Sequence, residues 1–268
     1  YVDNFVAPFY GGITLDRSLS TSKRVFEYTF KAMSEGRVAL PAAGMGAIPD
    51  QLADRARDAG ATIHLDEPVA SVTTDGDRAT VETETLTVET DAAVVAADPR
   101  TARRLSGVAS IPTTARSSVT CYCSLAGDAP LDDKRKIHLN AADDRPNAVV
   151  PLSTVAPAYA PDDRHLLAAT FLGSEALDAT DAELFDATRD ALESWYPERL
   201  FGGLDHVSTD RIEFAQFAQP PGVHDDLPDT RDPAGPVYLA GDYTAWSSIQ
   251  GAMRSGREAA DAVVDGLS

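Results

Sequence analysis

The chain of 268 residues, with 43% hydrophobic content, is long enough to bury a core, either as one large domain or as two interleaved ones. Its formal net charge of −19 excludes a nucleic-acid-binding surface, because phosphate contacts need Lys and Arg. No stretch approaches the ~20 apolar residues of a membrane span, and no signal-like segment opens the chain. We therefore expect a cytoplasmic protein, for which peripheral membrane contact stays open.

The charged residues of the chain are mainly aspartate and arginine. Aspartate outnumbers glutamate thirty to twelve, and arginine outnumbers lysine nineteen to four. Repulsion of this size destabilises a compact state unless salt screens it. The bias resembles that of cytosolic proteins from salt-loving archaea, which predicts a halophilic protein. The alternative is that the charge steers a cationic substrate such as a polyamine, but the acidic residues are spread along the whole chain.

A glycine-rich turn at residues 41–49 opens the first regular part of the chain. The pattern after it predicts a helix over residues 48–59, with Gly60 as its C-terminal cap. A strand carrying Ile63 and Leu65 is expected next.

Strand signals continue after this point. Val69 and Val72 belong to a further strand, and residues 78–88 read as a hairpin. Residues 91–99 form an apolar run that ends at Asp-Pro, which predicts a buried strand.

The middle of the chain predicts a second lobe. Strands are expected at residues 118–125, 147–151 and 165–171, and a helix over residues 181–195. The residues that should face the core from this helix are Leu184, Phe185, Thr188, Leu192 and Trp195.

The two cysteines, Cys121 and Cys123, point to one face of a predicted strand. A disulfide between these positions is geometrically poor, and two thiols without a nearby histidine do not make a zinc site. We predict that both are buried core residues. The five histidines are scattered without metal-ligand spacing, so no metal site is predicted.

The last thirty residues carry the clearest motif. A short apolar strand at residues 237–240 ends at Gly241-Asp242, and a loop leads to a helix with Ser248 as N-cap and Gly266 as its stop. One apolar face is predicted for this helix, made of Ile249, Ala252, Met253, Gly256, Ala260, Val263 and Val264. Because a helix N-terminus presents free amides and a positive dipole end, this unit suits an electron-rich or anionic group.

These motifs resemble those of flavin-dependent amine oxidases and carotenoid (phytoene) desaturases. The C-terminal strand, Gly-Asp and S-I-Q-G-A-M-x-S-G-x-x-A-A match the family's C-terminal FAD motif. The segment at residues 41–52 matches P-x-G-G-M-x-x-L, with Ala43 in place of the first glycine, and residues 5–19 resemble the desaturase-like branch. The resemblance implies an α/β fold of mixed α+β type, with a partial Rossmann-like FAD lobe interleaved with a mixed-sheet substrate lobe.

The resemblance also implies site residues. The backbone of Val69 would contact the adenine, Asp242 would bond the ribityl or phosphate region, and the Ile249 amide would face the flavin O2. The full predicted FAD-binding set is Val69, Gly241, Asp242, Ser248, Ile249, Gly251 and Ala252. Tyr243 and Trp246, in the loop before the helix, are candidates to line a substrate cavity.

One family element is missing from these 268 residues. The family opens with G-x-G-x-x-G after a strand, and Gly44-Met45-Gly46 follows a proline and has no third glycine. We therefore expect the C-terminal portion of a longer flavoenzyme, which by itself binds FAD weakly or not at all and is inactive. The predicted FAD lobe covers residues 36–100 and 236–268, and the substrate lobe covers residues 1–35 and 101–235.

The predicted function is hydride transfer from a small organic substrate, apolar or amine, to flavin N5, in a desaturase-like oxidoreductase. No catalytic residue is identified, because flavin chemistry needs mainly orientation and polarity from the protein. None of the four lysines lies in a motif that would hold it near N5. Two alternatives stay open: a flavin amine oxidase, and a non-catalytic α/β binding module.

Overall fold

The computed structural model describes residues 1–127, 130–131 and 134–268. The chain forms two compact units. Unit 1 comprises Tyr1–Ala61 and Ala115–Gln216, and unit 2 comprises Thr62–Thr114 and Phe217–Ser268. The fold is mixed α/β, as predicted.

The units group the chain differently from the predicted lobes at three segments. Residues 36–61 lie in unit 1, where the Tyr159 hydroxyl donates to the Pro41 carbonyl at 2.7 Å. Residues 101–114 and 217–235 lie in unit 2, where the Ala218 amide donates to the Thr114 carbonyl.

Helices occur in both sequence segments of unit 1. A π-helical turn at Val2–Val6 leads into the first of them. Their bounds are α1 Ala7–Thr14, α2 Lys23–Glu35, α3 Ala47–Asp58, α5 Leu152–Val155, α6 Ser174–Asp178 and α7 Asp181–Trp195; α4 belongs to unit 2. The predictions for α3 and α7 are confirmed, and Gly60 after α3 has the left-handed φ of +93° expected of a glycine cap.

Unit 1 contains a five-stranded sheet in the order β6-β7-β8-β5-β9. Its strands are β5 Ala115–Ala126, β6 His138–Leu139, β7 Ala148–Pro151, β8 Arg164–Leu172 and β9 Leu204–Phe217. The three predicted strands correspond to β5, β7 and β8, and β8 pairs antiparallel with both of the others. The sequence did not predict β9, because it is an edge strand whose residues are mostly exposed and show no apolar alternation.

Helix α7 covers one face of this sheet. A capping box, in which Thr180 and Glu183 exchange side-chain and backbone hydrogen bonds, fixes its first turn. Leu184, Thr188 and Leu192 are buried, as predicted, while Phe185 and Trp195 pack partly buried against the same core. Cys121 and Cys123 lie in this core as free thiols, which confirms the prediction for them.

Unit 2 contains a three-stranded antiparallel sheet and a separate parallel pair. The antiparallel strands are β1 Val69–Asp75, β2 Arg78–Thr83 and β3 Thr87–Thr90, so the predicted hairpin is confirmed. The parallel pair is β4 Ala93–Val95 and β10 Val237–Leu239, and the helices are α4 Pro99–Ser106 and α8 Ile249–Gly266.

Three local predictions need correction. Residues 62–65 form no strand, and Ile63 and Leu65 are exposed, because no strand of the described chain lies beside them to complete a ladder. Strand β4 is shorter than predicted and only Val95 in it is buried. Gly266 is the last residue of α8 and does not adopt a left-handed conformation, so the cap falls on Leu267.

Among the helices of the described residues, none is both long and apolar enough to cross a membrane.

Candidate functional site

The two parallel strands of unit 2 end at the same edge. Val237 pairs with Ala93 and Leu239 with Val95, so β4 and β10 run side by side in one direction. Beyond β4 the chain continues to Asp98, the N-cap of α4, and beyond β10 it continues to Gly241 and Asp242. Since ligands of open α/β sheets bind outside the carboxyl ends of parallel strands, this edge is the candidate site.

A groove of about 500 Å³ lies at this edge, on the β4 side. Its walls are apolar and come from the start of β1, from β2, from β4 with the segment after it, and from α4. They include Val69, Val72, Val81, Val94, Ala96 and Leu105. A cavity of this size and polarity is typical of a small-molecule site.

Arg104 is the cation of this groove, and it holds the backbone of β1. Its guanidinium donates to the Ala70 carbonyl at 2.7 Å and to the Val69 carbonyl at 3.3 Å. The pairing register shifts between Val69 and Ser71, so Ala70 is the extra residue of a β-bulge. Val69 therefore lines the groove, and Arg104 is a neighbour that the sequence did not indicate.

Gly241 is required by the packing of Tyr243. Its backbone is extended, but a Cβ at this position would lie 2.2 Å from the Tyr243 ring. The Gly241 amide donates to Ser255 Oγ at 2.8 Å, which ties the turn to α8.

Tyr243 is a buried residue, and its predicted place beside a substrate stays a prediction. The residue is only 1% exposed, and its hydroxyl donates to the Ala240 carbonyl at 3.2 Å. Burial raises the pKa of Tyr243, so the hydroxyl stays protonated. Tyr243 packs in the core because Gly241 has no side chain and leaves space for the Tyr243 ring at the end of β10.

Asp242 is partly buried beside the loop that leads to α8. The Ser247 hydroxyl donates to its carboxylate at 3.0 Å. Desolvation by burial raises the pKa of Asp242, and the hydrogen bonds from Ser247 and the Tyr243 amide oppose this shift. The carboxylate is therefore a strong acceptor held at the strand end.

Ser248 caps α8, as predicted. Its hydroxyl accepts from the Gly251 amide at 2.9 Å, and its carbonyl accepts the first helical bond, from Ala252. The amides of Ile249 and Gln250 have no acceptor within the helix, because the first amides of any helix precede its ladder. These two donors, with the positive dipole end, can serve an electron-rich group.

Gly251 lies against the loop that precedes α8. A Cβ at this position would lie 1.8 Å from the Trp246 carbonyl oxygen, so the missing side chain accommodates the loop backbone. The resemblance suggests that Gly251 contacts the cofactor, but its observed close neighbour is the loop that carries Asp242 and Trp246.

The predicted apolar face of α8 is not the buried one. The buried residues are Gly251, Ser255, Ala259 and Ala262, whereas Ile249 is 50% exposed and Met253 52% exposed. The helix approaches its neighbours closely, and only small side chains fit there. The exposed face carries the predicted site residues Ile249 and Ala252.

Trp246 stacks on His224. The ring centroids are 4.5 Å apart and the planes differ by 20°. Sequence reasoning did not single out His224, because stacking between residues twenty-two positions apart leaves no local pattern. Among the described residues there is no cluster of three or more His, Cys, Asp or Glu side chains that could hold a metal ion.

The sequence of the chain matches a known protein family. The sequence profile of flavin-containing amine oxidoreductases matches residues 1–264. The chain belongs to this family. A comparison with curated protein sequences found no match.

Several solved structures share the fold of this chain. An oxidoreductase from Methanosarcina mazei superposes with a TM-score of 0.63 at 17% identity, over 81% of this chain and 54% of that one. Putrescine oxidase bound to putrescine gives 0.59 at 19% identity, over 82% and 53%. Cyclohexylamine oxidase from Brevibacterium oxydans IH-35A gives 0.57 at 19% identity, over 84% and 53%. The chain thus spans about half the length of the structures that it matches.

The family uses FAD, and the residues present fit part of that group. The apolar groove beside Val69 suits a flat heterocycle, and the amides of Ile249 and Gln250 suit a polar ring edge. Asp242, as an acceptor, suits a hydroxyl group and does not suit direct contact with a phosphate oxygen.

Proposed function

We propose that this chain is the cofactor- and substrate-binding C-terminal portion of an FAD-dependent oxidoreductase. The observation that carries the proposal is the parallel pairing of β4 and β10, which brings the groove beside Val69 and the Gly241-Asp242 turn to one edge of unit 2. In this arrangement the groove takes the adenine end of FAD, and the segment from Gly241 to Ala252 takes the ribityl and ring end.

Each proposed contact follows from the chemistry of the group. The Val69 backbone, held by Arg104, offers polar atoms to the adenine edge. Asp242 accepts a hydrogen bond from a ribityl hydroxyl. The Ile249 and Gln250 amides donate to the electron-rich edge of the flavin ring, and Ser248 fixes their direction by capping α8. Gly241, Gly251 and Trp246 shape the loop that carries these donors and acceptors.

When bound, FAD supplies the two-electron acceptor for oxidation of an organic substrate. We propose a small apolar substrate that loses hydride to N5, as in a desaturase, because residues 5–19 resemble that branch. Amine oxidation is the second candidate, favoured by the putrescine and cyclohexylamine oxidases among the solved structures of this fold. Unit 1 is the proposed substrate-binding part, because it holds the five-stranded sheet, and the resemblance assigns the larger sheet to the substrate lobe.

A ligand titration tests the cofactor part. The chain is titrated with FAD, ADP and FMN, and binding is followed by calorimetry. We expect weak, saturable binding of FAD, since G-x-G-x-x-G is absent from these residues, and weaker binding of either half. Absence of FAD binding in the full-length protein, at any salt concentration, would favour the non-catalytic binding module.

The two substrate classes are separated by anaerobic mixing of the FAD-loaded full-length protein with putrescine, cyclohexylamine or an apolar compound with an activated C–H bond. Loss of the visible flavin absorption with the amines alone would select the amine oxidase. Loss with the apolar compound alone supports the desaturase-like proposal.

We also propose that the protein works in a salt-rich cytoplasm. The support is its aspartate-rich composition and net charge of −19. Most of its ion pairs join exposed side chains, as in Lys23–Glu27 and Arg57–Asp54, and such pairs stabilise little by themselves.

A further inference from the structure

Arg104 lies in α4 and lines the groove beside Val69, yet both of its terminal nitrogens donate to backbone. Nη1 donates to the Ala70 carbonyl at 2.7 Å, and Nη2 donates to the Val69 carbonyl at 3.3 Å. These acceptors are 34 and 35 residues away in the sequence. The side chain therefore bridges two walls of the groove, one formed by α4 and the other by β1.

Carbonyls of consecutive residues do not normally face one donor group. In a regular antiparallel strand, the backbone groups of successive residues point to opposite edges. The register shift between Val69 and Ser71 removes this restriction, because the extra residue Ala70 has no partner on β2. The bulge thus brings both carbonyls to Arg104, which supplies the donors that a neighbouring strand would otherwise supply.

The ladder between β1 and β2 ends at this point. Val69 is the first residue of β1, and its partner Thr83 is the last residue of β2. The Thr83 amide donates to the Leu86 carbonyl, in the turn that leads to β3. Beyond the ladder, the two hydrogen bonds from Arg104 hold the position of the Val69 backbone.

A guanidinium in a nucleotide site has two alternative roles. It contacts a phosphate directly, for which its paired N–H groups must face the ligand, or it acts by holding another group. Here both terminal nitrogens face carbonyl oxygens, and the other walls of the groove are mainly apolar. Such walls suit a base and leave most of the oxygens of a phosphate without donors. The geometry therefore favours the indirect role.

We propose that Arg104 is a positioning residue for the adenine end of the site. By holding the bulge at Val69 and Ala70, it keeps the Val69 backbone in the orientation that the base requires. The inference rests on the proposed function, since the groove must take adenine. Its consequence is selective: ligands that contain adenine lose affinity when Arg104 is replaced, and ligands without adenine do not.

The test uses the full-length protein, freed of FAD, and its variants. Arg104→Met removes the donors and keeps an unbranched side chain that favours a helix. Arg104→Lys keeps the charge but offers it as a point rather than as a planar fork. Arg103→Met is the matched control, because Arg103 lies on the same helix, donates to the Ile111 carbonyl at 3.3 Å and does not line the groove.

Equilibrium dialysis measures the affinity of each protein for FAD, ADP, adenosine and FMN. Arg104→Met should weaken binding of FAD, ADP and adenosine by the same factor, about tenfold, which is the order of one hydrogen bond to a charged group. FMN should bind unchanged, because it contains no adenine. Arg104→Lys should fall between Arg104→Met and wild type, and Arg103→Met should match wild type.

Circular dichroism of each variant verifies that the fold is retained. If Arg104→Met does not fold, Arg104→Lys carries the same comparison between ligands. Unchanged affinity for FAD and adenosine in the Arg104 variants would overturn the inference. A loss of affinity for ADP without a loss for adenosine would also overturn it, because Arg104 would then be a direct phosphate ligand.

An equal loss of affinity for FMN would overturn the inference as well, because the substitution would then damage the whole site. Failure of the proposed function is a different observation. It appears in the wild-type protein, as absence of binding to FAD and adenosine, and it would overturn the role of Arg104 together with the site. Failure of this inference alone appears only when the variants are compared with a wild-type protein that binds FAD.

Discussion

The carbonyl oxygen of Trp246 lies 1.8 Å from the point where residue 251 would carry its Cβ. Gly251 is thus a requirement of the loop between Asp242 and Ser248, whose backbone folds onto the first turn of α8. This contact links the loop that carries the acceptor Asp242 to the first turn of α8, where the Ile249 and Gln250 amides are the donors. The geometry of the proposed flavin end therefore depends on a glycine that faces inward.

Gly251→Ala should destabilise unit 2 by roughly 1–3 kcal/mol, the usual cost of overpacking, since the obstructing atom is backbone and cannot rotate away. Gly256→Ala is the matched control in the same helix, because a Cβ there meets nothing within 4 Å. That variant should gain about 0.5–1 kcal/mol from the better helix propensity of alanine. Denaturant unfolding of the two variants measures the difference in their stability. Equal midpoints would show that the loop can move away from residue 251 without loss of stability.

In the full-length enzyme, Asp242→Ala should weaken FAD binding by about ten- to a hundredfold, which corresponds to roughly 1.5–3 kcal/mol for one hydrogen bond to a charged acceptor. Arg257→Ala is the control, because Arg257 lies further along α8 on its exposed side. Titration by flavin fluorescence measures both affinities. Wild-type affinity in Asp242→Ala would remove Asp242 from the proposed site.

Asp242→Asn should increase the stability of the protein at neutral pH. Burial raises the pKa of Asp242, so the folded state holds the proton more tightly than the unfolded chain does. The cost of the ionised carboxylate is absent below its ordinary pKa and appears as the pH rises through the raised value. The asparagine variant should therefore melt higher than wild type at pH 7, and the gain should shrink as the pH falls toward about 3.9, the ordinary aspartate pKa. A gain that does not change with pH would mean that ionisation of Asp242 is not its source.

The protein should be more stable in molar potassium chloride than at low salt. Screening reduces the reach of each charge from about 10 Å at 0.1 M to about 3 Å at 1 M, which relieves the repulsion of a −19 chain. Thermal melts at the two salt concentrations, with sucrose as an uncharged control for solute exclusion, measure the effect. Equal melting midpoints at the two salt concentrations would argue against the halophilic interpretation.

Cys121 and Cys123 should resist a thiol reagent until the protein unfolds. Their sulfur atoms lie 3.7 Å apart in the core of unit 1, and neither residue is exposed. The hydrogen bond with Cys121 and burial raise the pKa of Cys123, which further lowers its thiolate fraction. Ellman's reagent should detect no thiol in the native chain and two in guanidinium chloride. Ser110→Cys, at an exposed position, is the control that reacts at once.

The sequence by itself determined the elements whose signals are local. The capped helix Asp181–Trp195, the hairpin before β4, the buried cysteines and the strand that ends at Gly241-Asp242 all follow from periodicity, caps and turn residues within a few positions. Ser248 was identified as an N-cap for the same reason, since capping involves only the next three residues. The C-terminal motif also gave the family.

The tertiary structure decided what depends on distant neighbours. Periodicity predicted a face of α8 with its large apolar residues, but the buried face holds Gly251, Ser255, Ala259 and Ala262, because the packing distance leaves space only for small side chains. Tyr243 became a core residue because Gly241 leaves space for its ring. Other features also depend on residues far apart in sequence. They are the edge strand β9, the His224–Trp246 stack, and the hydrogen bonds from Arg104 to the carbonyls of Val69 and Ala70. Such contacts are fixed by how elements pack, and the pattern of any single element does not contain them.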